Sequence, residues 1–144
     1  MSKLQEQLAE LMAEDGLTQS ALAKAMNTSG SKLSLYLSGK STPTYKFFVA
    51  LAEYFNCSAD FLAGLTDYPR RDIAYKPVQP FGERLRRILK DRKISQYSFI
   101  SDTKISWSIF YNWLIGKTLP SIDNLIKLSN YLGVTIDYLL GREN

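Results

Sequence analysis

The chain holds 144 residues, 45% of them apolar and 22% charged, with 18 Lys and Arg against 14 Asp and Glu for a net charge of +4. That is ordinary globular usage, far from the composition of a disordered chain, and the mild basic excess is a modest hint of a polyanionic partner. One cysteine and no histidine exclude an internal disulfide and a Cys/His metal cluster, and leave Cys57 without the base a thiol nucleophile needs.

From the start, Leu4, Leu8, Leu11 and Met12 make an i, i+4, i+7, i+8 stripe, which predicts an amphipathic first helix. This opening has neither the basic stretch nor the apolar block of a signal peptide, and no run reaches the ~20 apolar residues of a membrane span. The expectation is a cytoplasmic, nucleoid-associated protein with no membrane partner. Gly16 ends the first helix, and Thr18 caps a second that turns Leu22, Ala23 and Met26 inward. Asn27 suits the left-handed backbone of a tight turn. Ser29 caps a third helix that runs to Leu37 and is closed by Ser38 and Gly39. After Pro43, Thr44 caps a fourth carrying Phe47, Phe48, Leu51, Ala52 and Phe55, and Ser58 caps a short fifth ending at Gly64.

Thr66 to Pro80 holds Pro69, Pro77 and Pro80 without helical periodicity and reads as an extended linker; its Arg70–Arg71 pair reads as solvated. Beyond it the chain repeats itself. A gapless match at an offset of 77 pairs Leu4–Gly64 with Phe81–Gly141 and includes Gln19/Gln96, Ser29/Ser106, Gly39/Gly116, Lys40/Lys117, Pro43/Pro120 and Asp60/Asp137. The identities sit at caps, turns and core positions. The expected fold is all-α: two tandem five-helix domains at residues 1–66 and 81–144, joined by a Pro-containing linker at 67–80.

The second and third helices of each copy, separated by a short polar turn, form a helix-turn-helix arrangement. Leu17–Ser29 (LTQSALAKAMNTS), Leu33, Gly39-Lys40, Pro43 and Ser58–Leu62 (SADFL) resemble the lambda-repressor-like, or Cro-type, helix-turn-helix family. The resemblance covers nearly all of both copies. It implies a five-helix domain that inserts its third helix into the major groove of double-stranded DNA, commonly as a dimer on paired half-sites. The second copy departs from the pattern: Ile100 replaces Ala23, Thr103 replaces Met26, and Lys104 stands where the turn prefers Gly or Asn. A non-Gly, non-Asn residue held left-handed costs roughly 1–2 kcal/mol, so this turn is expected to be opened or reshaped.

A reading helix meets base edges with the exposed residues of its leading turns. With Leu33 and Tyr36 inward, the first copy offers Ser29, Gly30, Ser31, Lys32, Ser34 and Leu35. Ser31, Lys32 and Ser34 carry hydrogen-bonding groups, and Leu35 suits a thymine methyl. With Phe110 and Trp113 inward, the second copy offers Ser106, Trp107, Ser108, Ile109, Tyr111 and Asn112. Asn112 suits adenine. Trp107 and Tyr111 form an exposed aromatic pair, open among a protein interface, a DNA reader and a surface covered by the linker. Gln19 and Gln96 at the start of each second helix, and Lys40 and Lys117 past each third, are placed for phosphates, the lysines through charge and backbone N–H groups.

Charge is uneven. Residues 81–144 hold ten basic and six acidic side chains, residues 1–66 five and six, so charge favours the second copy for DNA while turn chemistry favours the first. Fully extended, the fifteen residues from Thr66 to Pro80 span at most about 50 Å, enough to bridge half-sites roughly 34 Å apart. The expected function is sequence-specific DNA binding as a transcriptional regulator, a repressor acting by occupancy. The alternative makes the second copy a module that homodimerises through Trp107 and Tyr111, with only the first on DNA. No catalytic residue, cofactor, metal or small-molecule substrate is indicated, and an enzyme is disfavoured.

Overall fold

The computed structural model describes residues 3–144; Met1 and Ser2, which open the expected first domain, lie outside the described residues. The chain forms two compact units, one ending at Ala74 and the other spanning Tyr75–Asn144. Among the described residues every element is a helix, and none is long and apolar enough to cross a membrane.

Unit 1 consists of α1 (Lys3–Glu14), α2 (Gln19–Ala25), α3 (Gly30–Leu37), α4 (Tyr45–Phe55) and α5 (Ala59–Leu62). Thr18, Ser29, Thr44 and Ser58 cap α2 to α5, each side-chain oxygen accepting from a backbone N–H three residues on, at 3.0–3.3 Å. Those are the caps the sequence predicts, and they satisfy donors that a helix start leaves unpaired. The helices then bury one stripe each: Leu8, Leu11, Leu22, Leu33, Phe48, Leu51 and Phe55 close into a core in which α1 packs on α3 and α5. Cys57 is fully buried within it.

Unit 2 repeats the plan with α6 (Phe81–Asp91), α7 (Gln96–Thr103), α8 (Trp107–Leu114), α9 (Ile122–Leu132) and α10 (Ile136–Leu140). Ser95, Ser106, Ser121 and Thr135 cap its last four helices. The repeat extends to the backbone. Left-handed residues recur at Gly16/Lys93, Asn27/Lys104, Gly39/Gly116, Asn56/Gly133 and Gly64/Gly141, every pair separated by the same 77 positions.

The turn between α7 and α8 is therefore not reshaped, contrary to the sequence expectation. Lys104 adopts φ +63°, as Asn27 adopts +54°. Thr103 compensates for the lost apolar side chain at the turn. Its buried hydroxyl donates to the Phe99 carbonyl at 2.7 Å and accepts from the Ile105 N–H at 3.3 Å, so no polar group is stranded. The strain is kept, which gives a prediction. Lys104→Asn, the residue unit 1 uses, is expected to stabilise unit 2 by about 1 kcal/mol, raising its thermal midpoint by roughly 4–8 °C. An unchanged midpoint would show that the left-handed lysine costs nothing.

The segment 67–80 contains no helix, but it is bonded down. Arg71 was expected in solvent; instead its guanidinium donates to Glu14 at 2.7 Å, to both Asp15 oxygens at 2.8 Å and to the Phe55 carbonyl at 2.9 Å. The Asn56 amide group reaches the carbonyls of Arg71 and Ile73, and the Ser58 N–H donates to Pro69 O at 2.7 Å. On the side of unit 2, the backbone N–H groups of Lys76 and Gln79 donate to the carbonyls of Arg142 and Leu140. A fork that can engage two carboxylates and a carbonyl at once explains why this position takes an arginine.

The hydrogen bond from Arg71 holds the Asp15 carboxyl below the ordinary carboxylate range, against a smaller opposing effect of burial. A depressed folded-state pKa contributes stability that is present above the unfolded value and lost as pH falls through the folded one. Protection of the Ser58 amide from hydrogen exchange is thus expected to be full at neutral pH and to fall on the acid side of about pH 4. In Arg71→Ala it should be low throughout. Pro69 docking that ignores both pH and the substitution would contradict the clasp.

Candidate nucleic-acid interface

Each unit presents its third helix with one face in the core and the other in solvent. In unit 1, Leu33 and Tyr36 are buried, and Gly30, Ser31, Lys32, Ser34 and Leu35 are exposed, as the sequence predicts. Ser29 accepts from the Lys32 N–H, and its hydroxyl pairs with that of Ser31 at 3.3 Å, so Ser29 is spent on starting the helix. Gln19 donates to the Gly30 carbonyl at 3.3 Å and fixes the start of α2 against the start of α3.

In unit 2, Phe110 and Trp113 are buried and Trp107, Ser108, Ile109 and Tyr111 are exposed, whereas Asn112 is half-buried. The Asn112 carbonyl closes the helix end by accepting from the N–H groups of Lys117 and Thr118. Trp107 and Tyr111 stack with ring centroids 6.0 Å apart, and both remain about half exposed. Trp107 also touches Phe110, at 5.9 Å between centroids, which anchors the pair to the core.

The flanking lysines need a correction. The backbone N–H of Lys40 donates to Leu35 O at 3.0 Å and that of Lys117 to Asn112 O at 2.8 Å, so these groups close their own helices and are not free for a phosphate. What Lys40 and Lys117 present outward is the ammonium group.

The basic first helix of unit 2 also divides. Arg84 is buried, donating twice to the Tyr138 carbonyl at 2.9 and 2.6 Å and lying 4.5 Å from that ring, and Arg92 donates to Leu132 O at 2.6 Å. Both are used on carbonyls near the ends of α10 and α9, where a cation is favoured. Arg86, Arg87, Lys90 and Lys93 stay exposed, as does Arg92 despite its bond, so Arg84 alone of these is buried. Arg86 and Lys90, together with Gln96 at the start of α7, line a cavity of about 240 Å³ against Phe110 and Leu114 of α8. Sequence reasoning counted these charges but did not separate internal from outward ones, because that depends on where α9 and α10 end in space.

Residues 5–62 match a family described as Helix-turn-helix, and residues 82–144 match one described as Helix-turn-helix domain. The chain is two helix-turn-helix domains in tandem. Over 60 residues it is 38% identical to the "SPbeta prophage-derived uncharacterized HTH-type transcriptional regulator YonR" of Bacillus subtilis (strain 168). That alignment covers 42% of this chain and 56% of the relative, so the chain spans little more than half of that protein's length. No solved structure matches the chain. The two helix-turn-helix domains thus share one scaffold while offering different side chains on α3 and α8.

Proposed function

We propose that the chain binds double-stranded DNA sequence-specifically, with α3 and α8 entering the major groove, and acts as a transcriptional regulator. The observation that carries this is the presentation of the third helix. In both domains it is capped, seated on a buried pair, and left with its leading residues in solvent between an exposed Gln and a Gly-Lys stop. Ser31, Lys32, Ser34 and Leu35 would meet base edges in the first domain, and Ser108, Asn112 and the Trp107–Tyr111 pair in the second. Gln19, Gln96, Lys40 and Lys117 would fix the register on phosphates.

The prophage regulator's name supports a regulatory role, and occupancy of a promoter is the mode we assign, making the protein a repressor that acts on the nucleoid. Catalysis is no part of this reading, since no histidine is present and Cys57 is buried. A second reading is favoured by the apolar exposed residues of α8: the second domain homodimerises and only the first binds DNA. A salt series separates the two. For the full chain, log affinity should fall against log salt with a slope near −0.9 per phosphate contacted. Binding confined to the first domain, with self-association through the second, would instead show a concentration-dependent mass, two chains on each duplex, and no such slope for residues 81–144 alone.

A further inference from the structure

The two domains carry their own control experiment, because the same surface positions can be compared 77 residues apart. In the second domain Tyr97, Trp107, Ile109, Tyr111, Ile115 and Leu119 are exposed, with Tyr97 at 82%, Ile115 at 54% and Trp107 at 51%. The positions they pair with in the first domain are Ser20, Gly30, Lys32, Ser34, Ser38 and Thr42. Six apolar side chains thus stand where the sister domain has small or polar ones. Trp107 and Tyr111 follow at i and i+4 on the outward side of α8, and Ile115 caps its end. Scattered apolar surface means nothing, but Trp107 and Tyr111 stack on one another, and a contiguous apolar patch rimmed by polar groups marks a contact surface.

The rim identifies the occupant. Lys104 lies just before α8 and Lys117 just after it, both exposed, and Arg86 and Lys90 line the cavity that α8 borders. A second copy would bring two such basic rims together and be opposed by their repulsion. A DNA major groove offers the complementary arrangement, phosphates along both edges and, on the floor, the thymine C5-methyl as its apolar group. The geometry points to α8 as a reader of thymine methyl groups, with Trp107 and Tyr111, on its leading turns, as its specificity-determining contacts and a T-rich half-site as its ligand. This rests on the DNA-binding reading above and deepens it: one chain reads two chemically unlike half-sites, the first mainly by the polar groups of α3, with Leu35 its one apolar contact, and the second by shape and apolar contact.

The test uses the full chain and duplexes it selects from a random pool, resynthesised with deoxyuridine in place of thymidine in one half-site at a time. Deoxyuridine keeps base pairing and removes only the methyl. Each methyl lost from the half-site read by α8 should weaken binding about three- to fourfold, so that three reach roughly 30- to 60-fold. Trp107→Gly with Tyr111→Ser, the residues the first domain has there, should erase this difference while leaving the fold intact, because both side chains are about half exposed. Equal affinity for thymidine and deoxyuridine duplexes would overturn the proposal and leave DNA binding standing. Failure to enrich any duplex, with self-association or capture of an acidic protein instead, would overturn both.

Discussion

Arg142→Ala is expected to unfold the second helix-turn-helix domain at moderate temperature while the first stays folded. Arg142 donates to Asp137 at 2.7 Å, the two side chains are 1% and 0% exposed, and the guanidinium lies 4.1 Å from the Tyr75 ring. Removing one partner leaves a carboxylate buried with its cation gone, which typically costs 3–5 kcal/mol. At roughly 0.05–0.15 kcal/mol per residue, a unit of this size has only about 3–10 kcal/mol in total. Both tryptophans, Trp107 and Trp113, lie in the second domain, and Trp113 is buried, so tryptophan fluorescence during denaturant unfolding reports on that domain alone. A loss below about 1 kcal/mol would mean that the pair contributes packing volume and little else. Replacing both residues by apolar ones of similar size should recover most of the loss, because the cost lies in the unpaired charge.

The second large effect is on affinity. Cleaving the folded chain at a protease site placed between Ala74 and Tyr75, where the two units meet in sequence, is expected to weaken operator binding by 10²–10⁴ even with both halves present. The covalent link makes the second docking event intramolecular and supplies effective concentration without any new contact. Its residues are held by Arg71 and Asn56 on one side and by backbone bonds from Lys76 and Gln79 on the other, so the fully extended reach of 67–80 overstates how free it is. Affinity within threefold of the intact chain would show that a single domain carries the binding.

Much of this was legible in the sequence because the repeat gave each local signal twice. Thr18, Ser29, Thr44 and Ser58 announced four helix starts, and their partners at 95, 106, 121 and 135 announced the same four again. Residues fixed by backbone geometry, such as Gly39 and Gly116, marked the ends of the presented helices. The interior of the motif followed as well, since Leu33, Tyr36, Phe110 and Trp113 turn inward on a 3.6-residue period.

What stayed hidden depends on partners distant in sequence. Arg71 reads as one of two solvated arginines until Glu14, Asp15 and the carbonyl of Phe55 converge on it. The Asp137–Arg142 pair could not be drawn from the repeat, because the position matching Arg142 is Leu65. Periodicity placed Trp107 and Tyr111 on an exposed face, but Ile115 falls just past the helix end and Tyr97 on another helix. Only the folded surface shows that both are left in solvent. The turn at Lys104 erred in the other direction: a per-residue cost argued for rearrangement, while the surrounding caps and the Thr103 hydroxyl hold the turn in place.

The most direct test of the central claim is selection of duplexes from a random pool by the intact chain. Two distinct enriched motifs at a fixed spacing, one of them rich in thymine, are expected if α3 and α8 both read the major groove. A pool that stays random after repeated rounds would contradict the account, since no arrangement of the two helices could then be serving as a reader of sequence.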